Sequence, residues 1–392
     1  MAQSISQEAI GATGLPGATA ASRHAGATTS GAPTTGTFAV GDFIVDQSGA
    51  MWVCTVAGTP GTWQIVGTPP TAQIAGKNAV INGDFNISQR GTTFNSITAN
   101  TWSLDRWLIG YKDAGITLNV SQQTFTPGTA PVSGYESANY IQLQNTAFGS
   151  STNTYYFATK IEDVRKYAGQ TVTLSYWAQV SSGTLTPTRV FLNQQFGTGG
   201  SAQVDNIGAA SPTYTTSWTR YTQTISVPSI SGQTIGTGSY LYILWQITPN
   251  ANVTLNLWGV QLEAGSTATE FTTASGTVGG ELALCQRYYQ QPVSTASYQI
   301  FGVGTMYSAT SLTCLIPLTV QMRIAPSVTF SANSNWNIQQ AGGFAVTGLS
   351  AFTVTPTGIN ATVTTSISLL SGGGGILISN GSGAAIYITA EL

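Results

Sequence analysis

Between residues 78 and 275 apolar residues recur at every second position in run after run. In QTVTLSYWAQV (170–180) one phase holds Val172, Leu174, Tyr176, Ala178 and Val180, and ITLNV (116–120) alternates in the same way. A period of two lines one face of a strand. YLYILWQI (240–247) is apolar in both phases, the pattern of a central strand covered on both faces. In VTLNLWGVQLE (253–263) the inward phase runs Val253, Leu255, Leu257 and then moves to Trp258, Val260, Leu262. A β-bulge near Gly259 accounts for that one-residue shift. Short strands at regular spacing over this block predict one antiparallel sandwich of jelly-roll type.

Two stretches carry a helical pattern. KIEDVRKYAG (160–169) reads as one or two amphipathic turns, with Glu162 and Asp163 early, Arg165 and Lys166 late, and Gly169 as a stop signal. GGELALCQRYYQQ (279–291) sets Leu282, Cys285, Tyr288 and Tyr289 on one helical stripe that ends at Pro292. Strands then return in YQIFGVGTMYS, SLTCLIPLTV, SVTFSA, GILIS and AAIYITAEL, and ILIS–NGSG–AAIYIT reads as a hairpin with a glycine-rich turn. This predicts a second β-sandwich over 293–392, joined to the first by the helix. Upstream, FIV (43–45), AMWVCTV (50–56) and TWQIV (62–66), separated by DQSG and TPG, predict a small meander. Residues 1–30 read as an extended arm. Within it GATGLPGAT (11–19) forms three Gly-X-Y triplets, which fit either a short collagen-like association of three chains or a plain flexible segment.

Composition changes the picture in one respect. Charged residues make up 7% of the 392, against roughly a quarter in ordinary soluble proteins, while 9 Trp, 16 Tyr and 14 Phe exclude a disordered chain. Beyond residue 292 only Arg323 and Glu391 are charged. So few ionic groups leave a monomer little protection against association, so the chain is expected to cover its surface with copies of itself, most simply around a threefold axis. A net charge of −2 gives no footprint for nucleic acid or anionic lipid. No apolar run approaches the ~18 residues of a membrane span, and the start MAQSISQEAIGATG lacks the features of a secretion signal. Cys54, Cys285 and Cys314 are odd in number and far apart, so neither a disulfide framework nor a metal site is expected, and folding in a reducing cytosol is.

Several segments resemble one family. AVINGDFNISQRG (79–91) followed by WSLDRW (102–107) looks like the start of a domain found in tailed-phage fibre and tail proteins. KIEDVRKYAGQTVTLSYWAQ (160–179) is similar to its middle, and WGVQLEAGSTATEF (258–271) with GGELALCQRYYQ (279–290) to its end and the helix after it. GAPTTGTFAVGDFIVDQSGAMWVCTVAGTPGTWQ (31–64) resembles a module near the anchored end of phage fibres. The resemblance implies a carbohydrate-binding-module-like sandwich, a homotrimer and glycan contact at a bacterial surface. It carries over no catalytic residue and does not separate tail from head attachment.

The candidate chemistry is sparse. His24, the single histidine, lies in the arm, so no nucleophile has a credible base. Glycoside cleavage would need two carboxylates flanking a bond. Asp84 and Asp105 instead read as structural partners of Arg90 and Arg106. No catalytic residue, cofactor or metal site is expected. Sugars stack on aromatic rings, and rings in strands, such as Trp177, Trp245 and Trp258, are expected in the core. Loop aromatics are the better ligand candidates: Tyr135 in PVSGYESAN, Tyr214 in SPTYTTSW and Trp336 in ANSNWNIQQ.

The sequence therefore predicts an all-β homotrimer: arm 1–30 docked on a tail, neck or capsid protein, meander 31–68, linker 69–77, jelly roll 78–275, connecting helix 276–292 and C-terminal sandwich 293–392. The expected role is that of a virion fibre or spike, assembled in the host cytoplasm and binding host-surface glycans, with no nucleic-acid or membrane partner. A structural head fibre, decoration or adaptor without ligand affinity is the alternative.

Overall fold

The computed structural model describes residues 24–26, 31–47, 49–67, 76–111, 113, 115–132, 135–148, 153–186, 189–248 and 254–392. The Gly-X-Y run at 11–19, the rest of the arm apart from His24–Gly26, and most of the linker lie outside the described residues. The chain divides into two compact units, 1–72 and 73–392.

The first unit is the expected meander with one added strand. β1 (His24–Gly26) runs parallel to β2 (Phe43–Val45), which pairs antiparallel with β3 (Met51–Val56), itself paired with β4 (Thr62–Gly67). Ile44, Ala50 and Cys54 form its small interior. The buried Asp46 carboxylate fixes the β2–β3 turn by accepting from the Ala50 amide at 3.0 Å and the Trp52 indole at 3.0 Å.

The second unit holds twelve sandwich strands in chain order: β5 (Thr93–Ile97), β6 (Thr101–Trp102), β7 (Trp107–Tyr111), β8 (Ile116–Thr124), β9 (Asn139–Phe148), β10 (Tyr155–Glu162), β11 (Thr171–Val180), β12 (Arg189–Gln195), β13 (Val204–Ala210), β14 (Thr219–Ser226), β15 (Tyr240–Ile247) and β16 (Thr254–Ala264). They form two six-stranded sheets, ordered β13-β12-β15-β10-β7-β6 and β14-β11-β16-β9-β8-β5. The five alternate residues of β11 named from its pattern all face the core. An aromatic stack fills the centre: Trp107 lies parallel to Phe157 at 4.6 Å, and Tyr176 meets Trp245 edge-on at 5.2 Å.

The bulge falls where the sequence placed it. Pairing of β11 with β16 slips between Ser175/Gln261 and Trp177/Trp258, and Gly259 takes a φ of +65°, which favours glycine. One detail differs. Leu255, Leu257, Val260 and Leu262 face the main core, but Trp258 points out of the other side, into a separate cluster with Phe125 and Phe271. Its indole donates to Ser137 Oγ at 2.6 Å. Trp177, expected in the core, is half-buried at the edge of this same cluster. Gly83 of the INGDFN segment packs backbone-to-backbone on β16. A Cβ there would come within 2.1 Å of the Val260 carbonyl, which explains the glycine.

The first predicted helix does not form. Residues 155–162 are strand β10, whose alternation of inward Tyr155, Phe157, Thr159 and Ile161 overrides the weak helical pattern of KIE, and turns follow over 164–169. The second does: α1 (Val278–Gln286) is capped by Thr277, whose Oγ1 accepts from the Gly280 amide at 3.1 Å. It ends before Tyr288 and Tyr289, because Tyr289–Gln290 is already a strand, β17.

The second sandwich expected after residue 292 takes the form of a closed barrel. Its strands are β18 (Ile300–Ser308), β19 (Ser311–Pro317), β21 (Trp336–Gln339), β22 (Gly343–Thr355), β23 (Gly358–Thr365) and β24 (Gly374–Ser379), closed in the order β18-β19-β23-β22-β21-β24. β20 (Ser327–Phe330) and β25 (Ile386–Thr389) make a three-stranded sheet with β17. ILIS–NGSG–AAIYIT is therefore no hairpin: β24 pairs inside the barrel, while β25 leaves it to pair with β17 and β20.

Barrel and sandwich belong to one unit, held by a buried ion cluster. Glu391 accepts from Arg90 Nη2 at 2.9 Å and from Arg106 Nη1. Arg90 lies over the Tyr289 ring and Arg106 over the Tyr288 ring, each at 3.6 Å. Arg323 donates to the carbonyls of Ala390 at 3.1 Å and Glu391 at 3.2 Å. The expected pairing is thus revised: Asp105 meets Arg90 at 3.9 Å, Arg106 turns to Glu391, and Asp84 bonds Asn86 at 2.6 Å without an arginine partner among the described residues. Likewise Glu162, expected to serve a local helix, accepts from Arg287 at 3.1 Å and from the Tyr288 hydroxyl at 2.8 Å. Removing one partner of a buried pair strands the other charge. The variant Glu391→Ala is expected to lose about 3–5 kcal/mol in chemical denaturation, and Glu391→Gln less, with sandwich and barrel of the native chain unfolding in one transition.

Candidate functional site

The three aromatic residues proposed from the sequence are not brought together. Tyr214 is fully buried and shares a 2.8 Å hydroxyl contact with Tyr176 inside the sandwich. Trp336 opens β21 rather than a loop, and its indole fills the barrel core edge-on to Phe301 at 4.8 Å. Both are corrected to core residues: the phase of β21 turns Trp336 inward, and Tyr214, in an isolated bridge to Leu185, packs against Tyr176 and Tyr221, so neither leaves a ring face for a ligand. Tyr135 remains near a surface. It is half-buried, 5.7 Å from Trp258 and 5.8 Å from Phe271, and lines a cavity of about 400 Å³ together with Asp84, Glu136 and Glu281.

In that cavity Glu281 is anchored: it accepts from the Asn82 amide at 2.5 Å, the Ser275 amide at 3.0 Å and Ser275 Oγ at 2.9 Å, which pins the first turn of α1 to the INGDFN loop. Asp84 is less well served, and burial, with the nearby Glu281 carboxylate second, pushes its carboxyl up to about 6. Among the described residues no group of three His, Cys, Asp or Glu side chains is placed to hold a metal ion.

The strongest constellation lies on the outer face of the β13-β12-β15-β10-β7-β6 sheet. Strand alternation builds it in rows. The inward phase of β15 (Leu241, Ile243, Trp245, Ile247) fills the core, so Tyr240, Tyr242, Leu244 and Gln246 face out. Register sets Gln246 beside Arg189 and Tyr156, Leu244 beside Phe191 and Ala158, Tyr242 beside Asn193 and Lys160, and Tyr240 beside Gln195 and Glu162. Ala158, Phe191 and Leu244 form a buried apolar floor against which Tyr156 and Tyr242 pack. Above it opens a cavity of about 260 Å³, closed on one side by Gln203, Asp205 and Asn206 from the edge strand β13 and the residue before it.

Its polar groups are held in place with valences to spare. Arg189 Nη1 donates to Asn206 Oδ1 at 2.6 Å, the Asn206 amide donates to Asn193 Oδ1 at 2.9 Å, and Gln203 donates to Asp205 at 2.8 Å. Arg189 is exposed, and among the described residues its second Nη and its Nε have no hydrogen-bond partner and the Gln246 side chain has none. Further along, Lys160 sits over the Tyr240 ring at 4.5 Å and donates to the carbonyl of Leu392. Burial, and after it the Arg106 guanidinium, brings its ammonium down to about 8. An apolar floor, tyrosine rims and planar amide and guanidinium donors can bind a ligand that is apolar on its faces and hydroxylated at its edges. Sequence reading missed this face because both phases of YLYILWQI looked like core. The signal was there in the outward tyrosines, 240 and 242, with Tyr156 on the neighbouring strand.

No family model matches the chain, and no curated protein matches it. Among solved structures, the enzymatically active domain of tailspike protein 4 of bacteriophage CBA120 is 14% identical at a TM-score of 0.31, over 48% of this chain and 22% of that one. The chain thus matches less than a quarter of that protein's length. The CBM22-1 xylan-binding domain of Paenibacillus barcinonensis Xyn10C is 15% identical at a TM-score of 0.28, over 50% of this chain and 98% of that one. A cyclase from Fischerella sp. TAU is 14% identical at 0.32, over 48% and 96%.

The cavity at Asp84 yields a pH prediction. With its folded pKa raised, Asp84 holds a proton that the unfolded chain releases near 3.8, so stability falls as pH rises from about 4 to about 6. The full effect is about 3 kcal/mol. Asp84→Asn is expected to flatten that segment of the stability–pH curve and to raise the melting temperature at pH 7.5.

Proposed function

We propose that this chain is a fibre or spike protein of a tailed-phage virion that binds glycans of a bacterial surface through the outer face of its sandwich. The observation that carries the binding reading is the row of outward tyrosines over the Ala158–Phe191–Leu244 floor, flanked by the uncommitted donors of Arg189 and Gln246. The virion role is supported by the resemblance of the segments at 31–64, 79–91, 102–107, 160–179 and 258–290. In this reading residues 1–30 dock on a tail, neck or capsid protein.

Stacking residues with little backbone role should matter most. Tyr156→Ala and Tyr242→Ala are each expected to weaken binding to the recognised polysaccharide about tenfold or more, measured by affinity electrophoresis or calorimetry. Tyr135→Ala should leave it unchanged. Equal binding by all three variants would remove the outer face from consideration.

Self-association is part of the same proposal. On the barrel, Val303 and Leu315 are cross-strand neighbours and both exposed, and Phe352 and Tyr307 are exposed as well. The two charged side chains of 293–392 are both engaged at the junction instead. Such a neutral apolar wall is suited to burial against other copies. Sedimentation at dilute concentration is expected to give a species of three times 40.7 kDa, and the double change Val303→Glu, Leu315→Lys to dissociate it. A native chain sedimenting as one subunit would contradict this.

A further inference from the structure

The outer face of the sandwich carries a second cavity. Further along the same rows, past Tyr242, lies a space of about 410 Å³, lined by Gln195, Gly197, Thr237 and Tyr240 from the sandwich and by Arg323 and Leu392 from the C-terminal module. Gln195 and Tyr240 are partners in the register that ends at Arg189 and Gln246 in the first cavity. Gln246 and Tyr240 are six residues apart on one strand, a span of about 20 Å. The two cavities therefore lie along the same strand rows of one sheet face, and the far one is completed by Arg323 and Leu392 of the C-terminal module.

The charges at the two ends have one sign in common. Arg189 at the near end and Arg323 at the far end form no ion pair among the described residues: Arg189 donates to the Asn206 amide oxygen, and Arg323 to two main-chain carbonyls. Glu391 is held by Arg90 and Arg106, and Glu162 by Arg287 and Tyr288, while Asp205, which shares the near cavity, accepts from the Gln203 amide and forms no ion pair with Arg189. Lys160, whose ammonium is brought down chiefly by burial and then by Arg106, stands beside the far end as a further cationic side chain. A guanidinium presents a planar fork suited to carboxylate or phosphate.

Building on the glycan-binding reading above, we propose that the ligand is an extended acidic oligosaccharide, long enough to run from Arg189 to Arg323, with carboxylate or phosphate groups meeting the arginines. A terminal monosaccharide would leave one of the two cavities empty, and a neutral chain would leave both arginines without an ion-pair partner.

The test uses the full chain and three ladders of probe: uronic-acid oligosaccharides of increasing length, the same oligosaccharides with carboxyl groups reduced to alcohols, and a glycerol-phosphate polymer. Affinity is expected to rise with length until the cleft is spanned and to fall with added salt. Carboxyl reduction, or Arg189→Gln, should lower it about tenfold. Tight binding of the glycerol-phosphate polymer in place of the uronates supports the proposal with phosphate as the anion. Arg323→Gln is read alongside its melting temperature, since Arg323 also bonds the chain at Ala390. Reduced oligosaccharides binding as well as acidic ones, or single sugars as well as long chains, would overturn this inference and leave the glycan-binding reading standing. A folded protein that retains no oligosaccharide or polymer of any class would overturn both.

Discussion

The carboxylate of Glu391 decides how this molecule is put together. It is the penultimate residue of the sequence, yet it is buried between guanidinium groups from residues 90 and 106, some three hundred positions earlier. Removing those charges from water costs several kcal/mol per ion, and only a complete set of partners offsets it. The set is close to complete: Tyr288 and Tyr289 cover the guanidinium faces, Gln89 braces Asp105 at 2.6 Å, and Arg323 holds the main chain on either side of residue 390. Two buried nitrogens, Arg90 Nη1 and Arg106 Nε, make no hydrogen bond, and the ring faces and the 3.9 Å approach of Asp105 supply their electrostatic compensation.

That cluster explains where the charge of the C-terminal module went. Arg323 and Glu391 are its two ionic side chains, and both serve the junction rather than the barrel's surface. The short helix belongs to the same arrangement. Glu281 at its first turn grips the INGDFN loop, and Arg287 just past its end grips Glu162. The 277–290 segment is a strap fastened at both ends, and Tyr288 and Tyr289 near its end lie beneath the arginines.

The same alternation that fills the sandwich core produces the cleft. Trp245, Ile243 and Leu241 point inward, so their neighbours in β15 must point outward, and two of those are tyrosines. Where the floor is apolar and the rim carries amides, a face that would otherwise be plain sheet surface becomes concave and sticky. The barrel contributes to this face only because the Glu391 cluster seats Arg323 and Leu392 beside Tyr240.

The sequence by itself determined what depends on local periodicity: the strands of the sandwich, the meander, the bulge at Gly259 and the helix within 279–291. It did so because burial of one strand face imposes a period of two whatever the partner. It failed where the signal was short or its partner distant. KIE joined a strand because β15 pairs with all three of its residues, extending a strand that β7 flanks up to Thr159. Asp84 and Asp105 could be seen beside arginines, but the acid that engages Arg106 stands 285 residues further on. Tyr214 and Trp336 sat among turn-forming residues and still packed inward, since a single ring in an irregular segment has no period to reveal its direction. Barrel closure, the charge cluster and the cleft were decided only by the tertiary structure, because each is made by strands that meet in space and never in sequence.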